Sequence, residues 1–168
     1  MNTAPARPAV IVGVSQTKDS RAVLTLAAWE ARCRDARLIA VMAYGGNPTL
    51  GAPGGRPVAV SHTADDGRLA AESALRDALT DALGEQADLA EPLAVTGPAG
   101  RSLVEAAQVT GASLLVLAGG GTTSVLPGSV SQYVLRKAPC PVLIVPDDSP
   151  GEPAPLADRE AGAARQHP

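Results

Sequence analysis

The sequence predicts an α/β fold, a single doubly wound domain whose five-stranded parallel sheet carries helices on both faces. Three observations predict it. Short unbroken apolar runs, of the kind buried on both faces of a parallel sheet, recur along the chain. Between them lie stretches whose apolar residues repeat at helical spacing, so the order reads as alternating β and α units. At 168 residues the chain suits one domain with enough length to bury a core.

Each element has its own signal. Met1–Pro8 is a short, flexible lead-in, and the folded domain is read as 9–146. Ala9–Val14 (AVIVGV) is the first buried strand. Ser15-Gln16-Thr17-Lys18 forms a polar loop, and Asp19 or Ser20 is the N-cap of the first helix. That helix places Leu24, Ala27, Ala28 and Ala31 on one stripe, with Arg21, Glu30, Arg32 and Arg34 off it. Arg37–Ala43 is the second strand. The segment 45–63 is rich in Gly and Pro and longer than an ordinary connection, so it reads as a functional flap or a disordered insert. Asp65 or Asp66 caps a second helix, with Leu75, Ala78, Leu79 and Ala82 on its stripe. Pro92–Thr96 is a short third strand. Gly97-Pro98 turns the chain into a third helix, with Leu103, Ala106 and Ala107 inward and Gly111 as its stop. Leu114–Leu117 is the fourth strand, and Gly119, Gly120 and Gly121 follow at once. Pro127-Gly128-Ser129 opens a fourth helix to about Lys137, which Pro139 and Pro141 end. Val142–Val145 is the fifth strand. From Asp147 on, the composition predicts a disordered tail, 147–168.

Composition removes several function classes. Trp29, Tyr44 and Tyr133 are the only aromatic residues, so the core is built from Ala, Val, Leu and Ile. The net charge is −3 and no Lys/Arg cluster stands out, which argues against nucleic acid or an anionic membrane as partner. Cys33 and Cys140 form no CxxC pair and read as small buried apolar residues. His62 and His167 are too few and too far apart for a metal-ligand cluster, so no tightly bound metal is expected. No apolar stretch is long enough to span a bilayer, and the expected location is the cytoplasm. No Ser/His/Asp set or paired carboxylate surrounds the loops, so no catalytic residue is assigned. Lys18 and Asp19 read as a solvated pair beside a helix cap.

In such a sheet a ligand binds outside the carboxyl ends of the strands, where the loops after strands one and four meet. The second of these loops is a glycine run feeding a helix N-terminus. Its backbone can approach a ligand closely, and free N–H groups and the helix dipole favour an anion. Three ligand classes can be compared. A Walker-type site needs a Lys after the glycines, and none follows. Gly119-x-Gly121-x-x-Ser124 lies after the wrong strand for a dinucleotide fingerprint and lacks the following acid. A flavin site has a hydroxyl-rich loop at Ser15–Ser20 in its favour, but no glycine there and almost no aromatic to stack on the flavin.

The run Gly128–Pro146 (GSVSQYVLRKAPCPVLIVP), together with Arg32–Ala43 (RCRDARLIAVMA) and Gly97-Pro98-Ala99, resembles the universal stress protein family, over about Pro8–Pro146. The resemblance implies strand order 3-2-1-4-5, homodimers and, in one branch, binding of ATP or a related nucleotide. That branch carries Gly-x2-Gly-x9-Gly-Ser/Thr and an Asp at the end of strand one. Here the first glycine position is Ala118 and the second Gly121; six residues rather than nine separate Gly121 from Gly128, and Ser15 holds the Asp position. Gly128, Ser129 and Val130 are intact. By resemblance, the phosphates of ATP or AMP would lie over Gly119, Gly121 and the Gly128–Val130 helix start, helped by the Ser129 and Ser131 hydroxyls, and the adenosine against Val14, Ser15 and Ala43. In the implied order strand 142–145 is an apolar edge, and pairing it with its twin in a homodimer would protect it. The function expected is a stress-response module binding an adenine nucleotide. The alternative is a dimeric protein-interaction module that has lost nucleotide binding.

Overall fold

A computed structural model describes residues 7–15, 20–45, 64–119 and 128–146. Val10, Ile11 and Val12 keep 0% of their surface exposed, because the strand that carries them, β1 (Ala9–Gly13), lies at the centre of the sheet. Around it run α1 (Arg21–Cys33), β2 (Arg37–Gly45), α2 (Ala64–Leu83), a 3-10 turn (Gly84–Leu89), β3 (Ala90–Gly97), α3 (Ala99–Thr110), β4 (Ala112–Ala118), α4 (Ser129–Lys137) and β5 (Val142–Val145). The five strands are ordered β3-β2-β1-β4-β5 and every pairing is parallel. This is the expected fold class and strand order.

The alternation of side chains along each strand divides the core in two. Val10, Val12, Ala40, Met42, Leu114 and Val116 face one side, where Leu24 and Ala27 of α1 and Leu75 and Leu79 of α2 cover them. Ala9, Ile11, Ile39, Val41, Leu115 and Leu117 face the other, under Leu103 and Ala107 of α3 and Val134 of α4. The continuous apolar runs follow from this, since each of these strands has a helix layer on both sides. Gly13 sits where the layers come closest. A Cβ there would lie 2.7 Å from Leu117 Cδ2 and 3.1 Å from Leu103 Cδ1. Gly13→Ala should therefore cost about 1–3 kcal/mol by overpacking, read as a lower midpoint in urea denaturation.

Several local expectations are corrected. Asp65 and Asp66 do not cap α2; the helix starts at Ala64 and both lie in its first turn, where their charge complements the dipole. β3 runs over Ala90–Gly97 rather than Pro92–Thr96. As an edge strand it tolerates Pro92, whose missing N–H would break a central ladder. β2 extends to Gly45, opposite Gly97, so the first residue of segment 45–63 belongs to the sheet. The rest of that segment, the Gln16–Asp19 part of the first loop, Gly120–Pro127, residues 1–6 and the tail 147–168 lie outside the described residues. Gly111 ends α3 in the left-handed conformation, with φ 62 and ψ 46.

The cysteine expectation also fails in part. Cys33 is exposed and Cys140 is half-buried. Cys33 follows the inward Ala31 by two positions, roughly 200° around the helix, which turns it to solvent. Burial pushes the Cys140 thiol up, reducing its thiolate fraction. Iodoacetamide at pH 8 should therefore label Cys33 first and Cys140 several times more slowly, as followed by peptide mass spectrometry. Trp29, on the outer side of α1, is 56% exposed.

Candidate functional site

Beyond the carboxyl ends of β1 and β4 the chain departs in opposite senses, toward β2 on one side and β5 on the other. A cavity of ≈ 390 Å³ opens at this switch point, within the size range of small-ligand clefts. Val14, Ser15, Ala43, Gly119, Gly128, Ser129 and Val130 all line it. Gly121 lies outside the described residues. The structure thus brings the described candidates together from three strand ends and one helix start.

The floor is a part that sequence reasoning missed. Val41, Leu103 and Leu117 form it, with Ala99 at the start of α3 beside them. Their periodicity marked the two leucines as core, and nothing local showed that the core surfaces here. The absent side chain of Gly13 brings Leu103 and Leu117 together beneath the opening.

The backbone donors divide into engaged and available ones. The Val14 N–H donates to the Val41 carbonyl at 2.9 Å, and the Gly119 N–H to the Val145 carbonyl at 2.6 Å. Gly119 is therefore a wall of the cavity, and its amide is committed to β5. A Cβ on it would lie 3.1 Å from the Val145 oxygen, so the close approach of β5 accounts for this glycine. At α4 the first helical bond runs from the Gln132 N–H to the Gly128 carbonyl at 2.9 Å. The N–H groups of Ser129, Val130 and Ser131 precede it and have no acceptor within the helix.

Gly128 has a different explanation from Gly119. Its φ of −59 and ψ of 168 suit any L-residue, and an added Cβ meets no described atom within 4 Å. Neither backbone conformation nor packing among the described residues requires a glycine here. Ser131, 4% exposed, also lines the cavity. The described lining contains no carboxylate, imidazole, thiol or amine. It offers apolar surface on one side and a cluster of N–H and O–H donors on the other, an arrangement suited to holding a ligand with an apolar body and an anionic end. Among the described residues no His/Cys/Asp/Glu group large enough to hold a metal occurs, and no helix is long and apolar enough to cross a membrane.

The sequence model of the universal stress protein family matches residues 7–146. No curated protein matches the chain. Among solved structures, a universal stress protein in complex with cAMP is 26% identical, covers 84% of this chain and 98% of its own, and superposes with a TM-score of 0.59. A universal stress protein from Lactobacillus plantarum is 24% identical over 84% of this chain and 99% of its own, at TM-score 0.62. One from Archaeoglobus fulgidus in complex with dAMP is 21% identical over 82% of this chain and 96% of its own, at TM-score 0.55. The family match runs from the residues just before β1 to the residue after β5 and so takes in every strand and helix described above: the chain belongs to the universal stress protein family.

Proposed function

We propose that this protein is a cytoplasmic, homodimeric stress-response module that binds an adenine nucleotide and acts as a binding protein rather than a catalyst. The observation that carries the reading is the α4 start. Three amides without helical acceptors and a glycine that nothing among the described residues requires border a cavity of small-ligand size. The adenosine lies against Val14, Ser15 and Ala43. The phosphate end lies at Gly128, Ser129 and Val130, with Gly119 as wall and Gly121 on the same loop. The complex of a 26% identical relative with cAMP supports an adenine nucleotide over other ligands. Calorimetric titration with ATP and AMP is the test, alongside mass spectrometry of whatever the freshly purified protein releases. Absence of heat at millimolar nucleotide would favour the ligand-free interaction module.

The dimer reading rests on the edge. β5 is paired only with β4 among the described strands. The Leu115 N–H reaches the Pro141 carbonyl and the Gly119 N–H the Val145 carbonyl. By strand alternation the backbone groups of Val142 and Ile144 point away from β4, open to a second copy. Ile144→Pro removes an outward donor without touching the β4 ladder. It should convert a dimer to a monomer in light scattering while helical circular dichroism is kept; an unchanged mass would remove β5 from the interface.

A further inference from the structure

A separate cavity of ≈ 600 Å³ opens at the opposite end of the sheet, by the amino ends of β1, β2 and β3. The local chain explains which side chains reach it. Asp35 takes the left-handed conformation, with φ 47, which Asp tolerates better than most side chains. The turn carries the chain from the end of α1 to the start of β2 in the three residues 34–36, and so brings Arg32 and Arg37 to one cavity. The Arg37 N–H donates to the Pro8 carbonyl at 2.8 Å, which sets Arg7 beside them. Three guanidinium groups and two carboxylates, those of Asp35 and Glu91, therefore line one opening. Its floor is apolar: Ala31, Leu38 and Leu83 lie there with Leu89, which is 72% exposed.

The arginines are placed to take a further anion. Arg37 Nη1 donates to both Glu91 carboxylate oxygens at 3.3 Å, and Arg7 pairs with Asp35. Both pairs are exposed, and exposed pairs exchange readily with water and salt. A guanidinium carries five N–H donors in a planar fork, enough to keep one partner and accept an incoming oxyanion. Arg32 adds a third fork, so cations outnumber carboxylates three to two among the described lining residues. The last carbonyls of α1 already have donors: those of Glu30, Ala31 and Arg32 accept the N–H groups of Arg34, Ala36 and Asp35. We infer that this cavity is a second ligand site, which takes a small organic anion. Its carboxylate or phosphate group is held by Arg32 and Arg37, and its apolar body lies over Leu38, Leu83 and Leu89. The volume falls in the range of small-ligand clefts. The site stands apart from the nucleotide reading, because the two cavities share no lining residue.

The test is an amide NMR titration of the full chain with phenyl phosphate, benzoate, inorganic phosphate and benzyl alcohol. Phenyl phosphate or benzoate should shift the amides of Ala36, Leu38 and Leu89, and bind about tenfold or more tighter than inorganic phosphate or the uncharged alcohol. The tighter of the two identifies the head group. Arg32→Gln should weaken that binding by about tenfold, and Leu89→Ser should bring phenyl phosphate down toward inorganic phosphate. Both positions are exposed, so both variants should keep the urea midpoint of the parent chain. Shifts confined to the start of α4, no shifts at all, or an affinity that Arg32→Gln leaves unchanged would overturn the inference. Benzyl alcohol binding as tightly as phenyl phosphate would overturn it too, because the arginines would then be idle. So would a hexaglutamate peptide that binds here where the small anions do not, since the groove would then serve an acidic segment of a partner protein. None of these results touches the nucleotide reading, which is tested at the other end of the sheet.

Discussion

Gly128→Thr should lose AMP binding by at least about tenfold, equivalent to 1.4 kcal/mol, while the folded protein keeps its stability to within about 0.5 kcal/mol. The two halves of this expectation have separate physical grounds. Stability holds because φ at Gly128 is −59, an added Cβ meets no described atom within 4 Å, and Thr caps a helix about as well as Gly. Binding falls because the branched side chain would stand beside the α4 amides that the ligand needs. Calorimetry with AMP and urea denaturation of the same preparation check both halves. An unchanged affinity would mean that the ligand does not approach the start of α4, and the proposed site would fail with it. The contrast with Gly13 strengthens the test. There the glycine is needed by packing, so its replacement moves stability first.

Leu115→Ala should cost about 2–5 kcal/mol of folding stability, and for a domain of this size a melting temperature lower by on the order of 10 °C. Leu115 is 0% exposed and lies on β4 between β1 and β5, opposite Ile11 and Val142. It packs in the layer covered by Leu103, Ala107 and Val134. The neighbours are aliphatic and already interlocked, so they close only part of the gap left by the missing methyls. Leu93, on edge strand β3 and 38% exposed, provides the control; Leu93→Ala should stay within about 0.5–1 kcal/mol. Thermal denaturation followed by circular dichroism measures both. Equal losses for the two variants would contradict the burial pattern.

The sheet was legible because its central strands are wrapped on both sides, and that leaves unbroken apolar runs in the sequence. The sequence shows only part of β3 for the complementary reason. It is an edge, mostly exposed, and Glu91 and Pro92 look like the end of a strand unless the absence of an outer partner is known. Asp65 and Asp66 are ambiguous in the sequence because acidic residues mark both the cap and the first turn, and only the backbone separates the two. At the site, the helix start and the strand ends follow local pattern, so Val14, Ser15, Ala43 and Gly128–Val130 could be named from the chain alone. The engagement of the Gly119 amide could not, because its acceptor, Val145, comes from a different strand. Nor could the floor, which exists because three elements distant in sequence leave a gap above Leu103 and Leu117. For Cys33 residue type points inward, but its angle around α1 decides its exposure.

The placement of Trp29 has a practical consequence for anyone measuring this protein. The sole indole already faces water on the outer side of α1, so its emission should shift little toward the red when the chain unfolds. Intrinsic fluorescence would then report a muted transition for a domain whose collapse is real, and the optical signal of choice is the peptide backbone in the far ultraviolet.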